Sequence, residues 1–266
     1  MTDNTSKRPN IVFIISDDTD FSMLGYSGGR VLTPNIDRLA REGVQCTQYY
    51  TSTPVCMPAR YNCLTGHYAG RCPAYEESFP AGEPYTVTWN TDLLPERELC
   101  IGQALQRGGY RTGFVGKWHC GPGERKLGIM PFERDDDPAD PDIARRLRLR
   151  QAVLQEQVRS NGFDYAAAVH WGNTDGRDIR VLQEHNLEWT CQGALDFLDQ
   201  YGRGDQPFFL HVGTTTIHGP SHVKSLKSDV RLTGAGYQDD HVGCMPPRES
   251  VLERVEEAEG IELNHR

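Results

Sequence analysis

Cys56 stands two residues before a proline and four before an arginine, in Cys56-Met57-Pro58-Ala59-Arg60. A cysteine becomes a nucleophile when its thiol ionises, which a helix N-terminus and nearby cations favour. Four residues are about one helical turn, so Arg60 would share a face with Cys56 and offset anionic charge there. Upstream, the apolar run Ile11-Val12-Phe13-Ile14-Ile15-Ser16 ends in Asp17-Asp18. Paired carboxylates suit a hard divalent cation, calcium first and magnesium second. Downstream, Thr112-Gly113-Phe114-Val115-Gly116 leads into Lys117-Trp118-His119. Lys117 could clamp an anionic oxygen as a point charge, and His119 could move a proton. A last run, Phe208-Phe209-Leu210-His211-Val212, precedes His218-Gly219-Pro220.

Each of these residues also has a plainer reading. Asp-Asp at a strand end is common in turns. A cysteine in a reduced protein is usually buried and inert. Arg60 alone could be a surface arginine, and a lone histidine is most often a hydrogen-bonded structural residue. His218 and His222 are four apart, but Gly219 and Pro220 would break a helix between them. No His-Glu-x-x-His is present, so a zinc-protease site is not supported.

The elements that must position these residues alternate between strand and helix. Asn10 to Ser16 reads as a fully buried parallel strand, β-branched and without alternation. Thr33 and Pro34 are N-cap and first residue of a helix that carries Ile36, Leu39 and Ala40 and stops at Gly43. Val44 to Tyr50 reads as a second strand, and Pro58 to Leu64 as a helix with Cys56 just before it. Glu98 to Arg107 is a further helix, Thr112 to Gly116 a third strand, Leu187 to Tyr201 a helix and Pro207 to Val212 a buried strand. Val251 to Ala258 reads as a short acidic helix. A polar block at 133–142 and a charged helix from Ile143 to Val158 read as a helical insertion over the core at 133–160. This pattern predicts an α/β fold, a mostly parallel central sheet flanked by helices. In such sheets ligands bind beyond the carboxyl ends of the strands. Asp17, Asp18, Lys117, His119 and His218 all fall there.

In this order, Asp-Asp, Cys-x-Pro-x-Arg, Gly-Lys-x-His and His-x-Pro, the motifs resemble those of the formylglycine-dependent sulfatases of the alkaline-phosphatase superfamily. The resemblance covers most of residues 9–220 and leaves 1–8 as a polar tail ahead of an N-terminal catalytic domain at 9–266. It implies that Cys56 is oxidised to formylglycine by a formylglycine-generating enzyme and that the hydrate attacks sulfur. It implies roles for Arg60, Lys117, His119 and His218 on the sulfate, and for Asp17, Asp18 and residue 56 on a divalent metal. The implied substrate is a small-molecule or carbohydrate sulfate ester. Met57 and Cys63 depart from the residues usual in this motif. The family's later strand ending in Asp-Asn-Gly or Asp-His-Gly has only a faint echo in Asp240-His241-Val242-Gly243. The expectation is therefore a fold truncated at its C-terminus. Two other functions share the pattern: a phosphodiesterase or phosphonate monoester hydrolase, and an inactive remnant that binds or scaffolds.

The chain has 266 residues and a formal net charge of −9. That balance argues against nucleic acid and acidic membranes as partners. The opening apolar run is too short for a leader core or a membrane span, so a cytoplasmic location is expected. Cysteines 46, 56, 63, 72, 100, 120, 191 and 244 form no Cys-x-x-Cys pair, and most are expected to be reduced.

Overall fold

The computed structural model describes residues 8–78 and 91–254. The elements, in chain order, are β1 (Ile11–Ile15), α1 (Pro34–Glu42), α2 (Cys56–Thr65), α3 (Pro73–Ser78), α4 (Ile101–Arg107), β2 (Arg111–Lys117), α5 (Pro141–Ser160), β3 (Tyr165–His170), α6 (Leu187–Tyr201), β4 (Phe208–Gly213), α7 (His222–Leu226), β5 (Leu232–Thr233) and β6 (Gly236–Tyr237). The first four strands form one parallel sheet in the order β1-β4-β2-β3. Successive β2 side chains point to opposite faces, as the strand period requires. Phe114 joins Tyr61 and Leu64 of α2 with Leu154 and Val158 of α5 on one face. Val115 joins Trp189 and Phe197 of α6 on the other. The expected layered α/β architecture is present, with helices on both faces of a parallel sheet.

Several local expectations change. Residues 44–50 form no strand; Tyr49 and Tyr50 are exposed and, with Asp17 and Cys56, line a cavity. β1 is a strand but not a buried one: it lies at the sheet edge, with Val12 50% and Ile14 64% exposed. Ile36 and Leu39 of α1 are exposed as well. Thr33 sits at the N-cap of α1, but its hydroxyl accepts the Gly25 N–H and donates to Asp37 instead of capping the helix. The helix expected inside a covering insertion is α5, and it lies in the flanking layer itself. Ala144, Leu147, Gln151, Leu154 and Val158 are its buried residues, and Gln151 bonds both backbone groups of Val169 on β3. β3 itself was not anticipated. The proposed helix at Val251–Ala258 lies partly outside the described residues, as does most of the 1–8 tail. None of the eight cysteines is joined in a disulfide. Among the described residues no helix is long and apolar enough to cross a membrane.

The core holds neutral histidines, and these set a pH dependence. His211 on β4 is 4% exposed and stacks on Phe114 at 4.7 Å. Burial, then the nearby Arg60 charge, pushes it down to about 3. Burial, then Arg177, holds His170 well below its ordinary value. An unfolded chain protonates both near pH 6.5, whereas the folded chain leaves them neutral. The unfolded state thus binds more protons below about pH 6.5. Stability is retained above that pH and is lost as the pH falls from about 6.5 towards 3. His211 removes about 1.4 kcal/mol per pH unit within that window, and His170 acts in the same direction. Melting temperatures from pH 7.5 down to 5 should fall, and His211→Gln should flatten the fall. A flat profile in the unsubstituted protein would contradict this account.

Candidate active site

Every strand of the parallel sheet delivers a polar side chain at its carboxyl end. Asp17 and Asp18 follow β1, Lys117 ends β2 and His119 follows it, Asn173 follows β3, and His218 follows β4. Backbone bonds lock the ends of β1 and β4 together: Thr214 N–H to Ile15 O at 2.9 Å, Asp17 N–H to Thr216 O at 2.7 Å and Ile217 N–H to Asp17 O at 2.7 Å. Gly116 and Gly213 permit the closest approach. A Cβ on Gly116 would lie 2.0 Å from Gly213 O, and one on Gly213 would lie 2.8 Å from an Arg60 guanidinium nitrogen. Asp18 and His119 both adopt positive φ, 54° and 50°, a left-handed conformation that is uncommon outside glycine and concentrates at functional sites.

The structure brings Asp17, Arg60 and Lys117 together. Lys117 is fully buried and donates to both the Asp17 carboxylate and the Asn173 carbonyl oxygen. Arg60 lies 3.9 Å from the other Asp17 oxygen, and it donates to Lys117 O at 2.9 Å and to Thr214 O at 3.2 Å. Two buried cations thus face one buried carboxylate. A charge left without a counterion in a low-dielectric site is costly, so the arrangement favours a bound anion. Burial presses the Arg60 guanidinium below its ordinary value, and Asp17 counteracts it.

Cys56 is the first residue of α2, which starts two residues before the Pro58 start read from sequence, and it is partly exposed. No side chain caps α2, so its first-turn amides add to the positive potential around residue 56. Cys56, Asp17, Asp18 and Arg60 line a cavity of about 550 Å³. Cys63 is partly buried and its thiol is pushed up, chiefly by burial.

His119 is buried, and burial followed by the Lys117, Arg60 and His218 charges pushes it down to about 3. It is therefore neutral, and its Nδ1 has no hydrogen-bond partner among the described residues. A bound anion would oppose those cationic charges and raise its basicity. His218 is half-buried; its Nε2 lies 3.9 Å from Asp18 Oδ2 and 3.0 Å from Asn173 Nδ2. Because the Asn173 oxygen accepts from Lys117, its NH₂ must donate to His218. His218 then carries its proton on Nδ1, which faces Gly219 O at 3.2 Å.

Asn173 is the site residue that sequence reasoning missed. Its signal was the apolar stretch Tyr165–His170 followed by Trp171-Gly172-Asn173, a strand end of the kind that flagged the other residues. Asn173→Ala removes one bond to Lys117 and one to His218. At about 1–3 kcal/mol of lost orientation, turnover by an active form of the enzyme should fall about 10- to 100-fold. Steady-state kinetics showing less than a twofold change would remove Asn173 from the positioning role.

Asp17 and Asp18 suit a hard cation in donor type but not in number. Among the described residues no group of three or more His, Cys, Asp or Glu is arranged to hold a metal. Asp240 and His241 do not complete it. His241 Nε2 lies 2.7 Å from Val230 O and its Nδ1 3.6 Å from Asp240, and neither residue bonds to Asp17, Asp18 or Cys56.

Comparison with known proteins matches residues 9–241 to the family described as Sulfatase. The chain is 30% identical over 216 residues to the ulvan-active sulfatase of Formosa agariphila, a match covering 80% of this chain and 36% of that one. It is 41% identical over 118 residues to human arylsulfatase D, covering 43% of this chain and 19% of that one. The solved structure of Ps i-CgsB in complex with k-i-k-neocarrahexaose superposes with a TM-score of 0.52 at 19% identity, covering 85% of this chain and 51% of that one. The chain thus spans about a third or less of the length of these curated relatives, and half of the solved chain.

Proposed function

The chain belongs to the sulfatase family, and from that premise we propose that it supplies the nucleophile-bearing half of an enzyme that hydrolyses a sulfate ester, its alcohol a carbohydrate. The observation that carries this reading is the pairing of buried Arg60 and Lys117 against the single buried carboxylate of Asp17, beside Cys56 at the start of α2. Sulfate-ester attack concentrates negative charge on oxygens around sulfur, and fixed cations in a dry site stabilise that charge most effectively. The carbohydrate class is supported by the ulvan-active relative.

Formylglycine at residue 56 would supply a hydrate with two hydroxyls on one carbon: one to attack sulfur, the other to expel sulfate. The position is compatible with that group, being partly exposed at the cavity wall and beside uncapped helix amides. Arg60 offsets anionic charge at that wall. Lys117, held by Asp17 and Asn173, faces the sulfate oxygens. Neutral His119, with its free Nδ1, can take a proton from a hydroxyl at residue 56. His218, its Nε2 held by Asn173, lines the sulfate side of the site. Calcium, with magnesium second, is the ion that the oxygens of Asp17 and Asp18 would suit.

Matched aryl or sugar sulfate and phosphate esters test the reading in an active form of the enzyme. Sulfate turnover should exceed phosphate turnover, and Lys117→Ala should lower it about 10²- to 10³-fold. A preference for phosphodiesters or phosphonates would assign the site to the superfamily's phosphorus chemistry. No turnover of either ester class, with residue 56 converted, would favour a binding role.

A further inference from the structure

A second cavity, about 510 Å³, lies on the β3 side of the proposed site and is lined by Trp171, Gly172 and Asn173, with Arg150, Arg177 and Met130 among its other walls. Asn173 belongs to both places, since the amide that lines this cavity also holds Lys117 and His218. Trp171 likewise packs edge-on against His119 at 5.3 Å. A group in this cavity would therefore adjoin the sulfur position. Its volume falls within the range of pockets that hold small ligands.

The charges in its wall are unevenly matched. Arg150 donates twice to Glu124, at 2.9 and 2.5 Å. Lys126 is paired with Asp92 at 2.9 Å. Asp178 has no cation within ion-pair distance among the described residues and accepts the Phe132 N–H at 3.1 Å. Arg177 donates to Leu182 O at 2.8 Å and to His170 Nδ1, both neutral acceptors, and makes no ion pair among the described residues. Exposed Arg125 adds a further cation to the rim. Burial, then the Arg150 charge, presses the Arg177 guanidinium below its ordinary value, and Glu124, already engaged by Arg150, counteracts this in part. Trp171 and the Arg177 guanidinium, both lining the cavity, together suit a ring bearing an anionic group.

We propose that this cavity receives the alcohol part of the ester, a sugar ring carrying a second anionic group, a carboxylate or a further sulfate, that pairs with Arg177. The proposal rests on the sulfatase reading for the identity of the neighbouring site, but the binding it describes can be measured without turnover.

Calorimetry at low salt would use three unsulfated or sulfated probes: cellobiose, the same disaccharide oxidised to a uronate, and the same disaccharide with one sulfate. At least one anionic probe should bind about tenfold or more tightly than cellobiose, and whichever binds more tightly identifies the anion. Arg177→Gln should reduce that advantage to nothing. Because Arg177 also ties Leu182 to His170, Met130→Glu is a second test. Met130 is 72% exposed at the rim, so this change leaves packing intact while repelling an anion, and it should weaken the anionic probe alone. Equal affinity for all three probes, or an anionic preference unchanged in both variants, would overturn the proposal. Inorganic sulfate, titrated against the parent and Lys117→Ala proteins, separates the two readings. Loss of its Lys117 dependence with Arg177-dependent sugar binding intact would sink the sulfatase assignment and leave this cavity standing.

Discussion

Co-expression with a formylglycine-generating enzyme is expected to leave the tryptic peptide containing residue 56 about 18 Da lighter than its thiol form, while the peptide positions of the other cysteines stay unchanged. The reasons are structural as well as sequence-based. Cys56 opens α2, is partly exposed and lines the same cavity as Asp17 and Arg60. Cys120, by contrast, is buried against Met57 O, and burial pushes its thiol well above the ordinary value. In an active form of the enzyme, Cys56→Ala should lower turnover by about 10³-fold or more, because the nucleophile itself is lost. Cys56→Ser should permit at most one attack per molecule, since a single hydroxyl has no second route to expel sulfate. Cys63→Ala, about two helical turns further along the same helix, should leave turnover measurable. Free thiol alone at residue 56 from a competent host, or full activity in Cys56→Ala, would remove Cys56 from the chemistry.

The residues legible from sequence share one property: each stands at the end of a short apolar run. Asp17, Asp18, Lys117, His119 and His218 were found because β1, β2 and β4 read as strands, and the carboxyl-end rule then placed their followers at the site. Asn173 was missed because Tyr165–His170, with three consecutive alanines, lacks the β-branched density that marked the others. Residues 44–50 misled in the opposite direction. Val44, Gln45, Tyr49 and Tyr50 have strand-like composition, yet pairing with a neighbouring strand is what makes a strand, and none lies beside them among the described residues. Burial was the least legible quantity. A continuous apolar run predicts a strand covered on both faces, and Ile11–Ile15 has that composition. Whether the covering elements are present depends on topology, which the run itself does not encode.

That exposed edge leads to the other large expected effect. β1 pairs only with β4 among the described strands, so its far side presents unpaired N–H and C=O groups. Its side chains are apolar too, with Val12 50%, Phe13 37% and Ile14 64% exposed. Beside them in sequence, α1 leaves Ile36 45% and Leu39 63% exposed, and Val44 is 91% exposed. Single exposed apolar residues are ordinary, but a contiguous apolar strand edge is a template for pairing with another chain. Residues 1–266 expressed alone should therefore self-associate at micromolar concentration, with light scattering reporting oligomers or aggregates. Ile14→Lys should shift the population towards monomer, because a lysine on an edge strand opposes strand addition. Leu149→Lys is the control: Leu149 is 58% exposed on α5, away from the edge, and its change should leave association unaltered. Wherever another strand pairs with β1 and covers it, the same Ile14→Lys should instead destabilise by about 2–4 kcal/mol, as a charge forced into a covered sheet does. A monomeric, cooperatively unfolding 266-residue chain that is indifferent to Ile14→Lys would show that the β1 edge needs no partner, and the exposed apolar residues of β1 would then require another explanation.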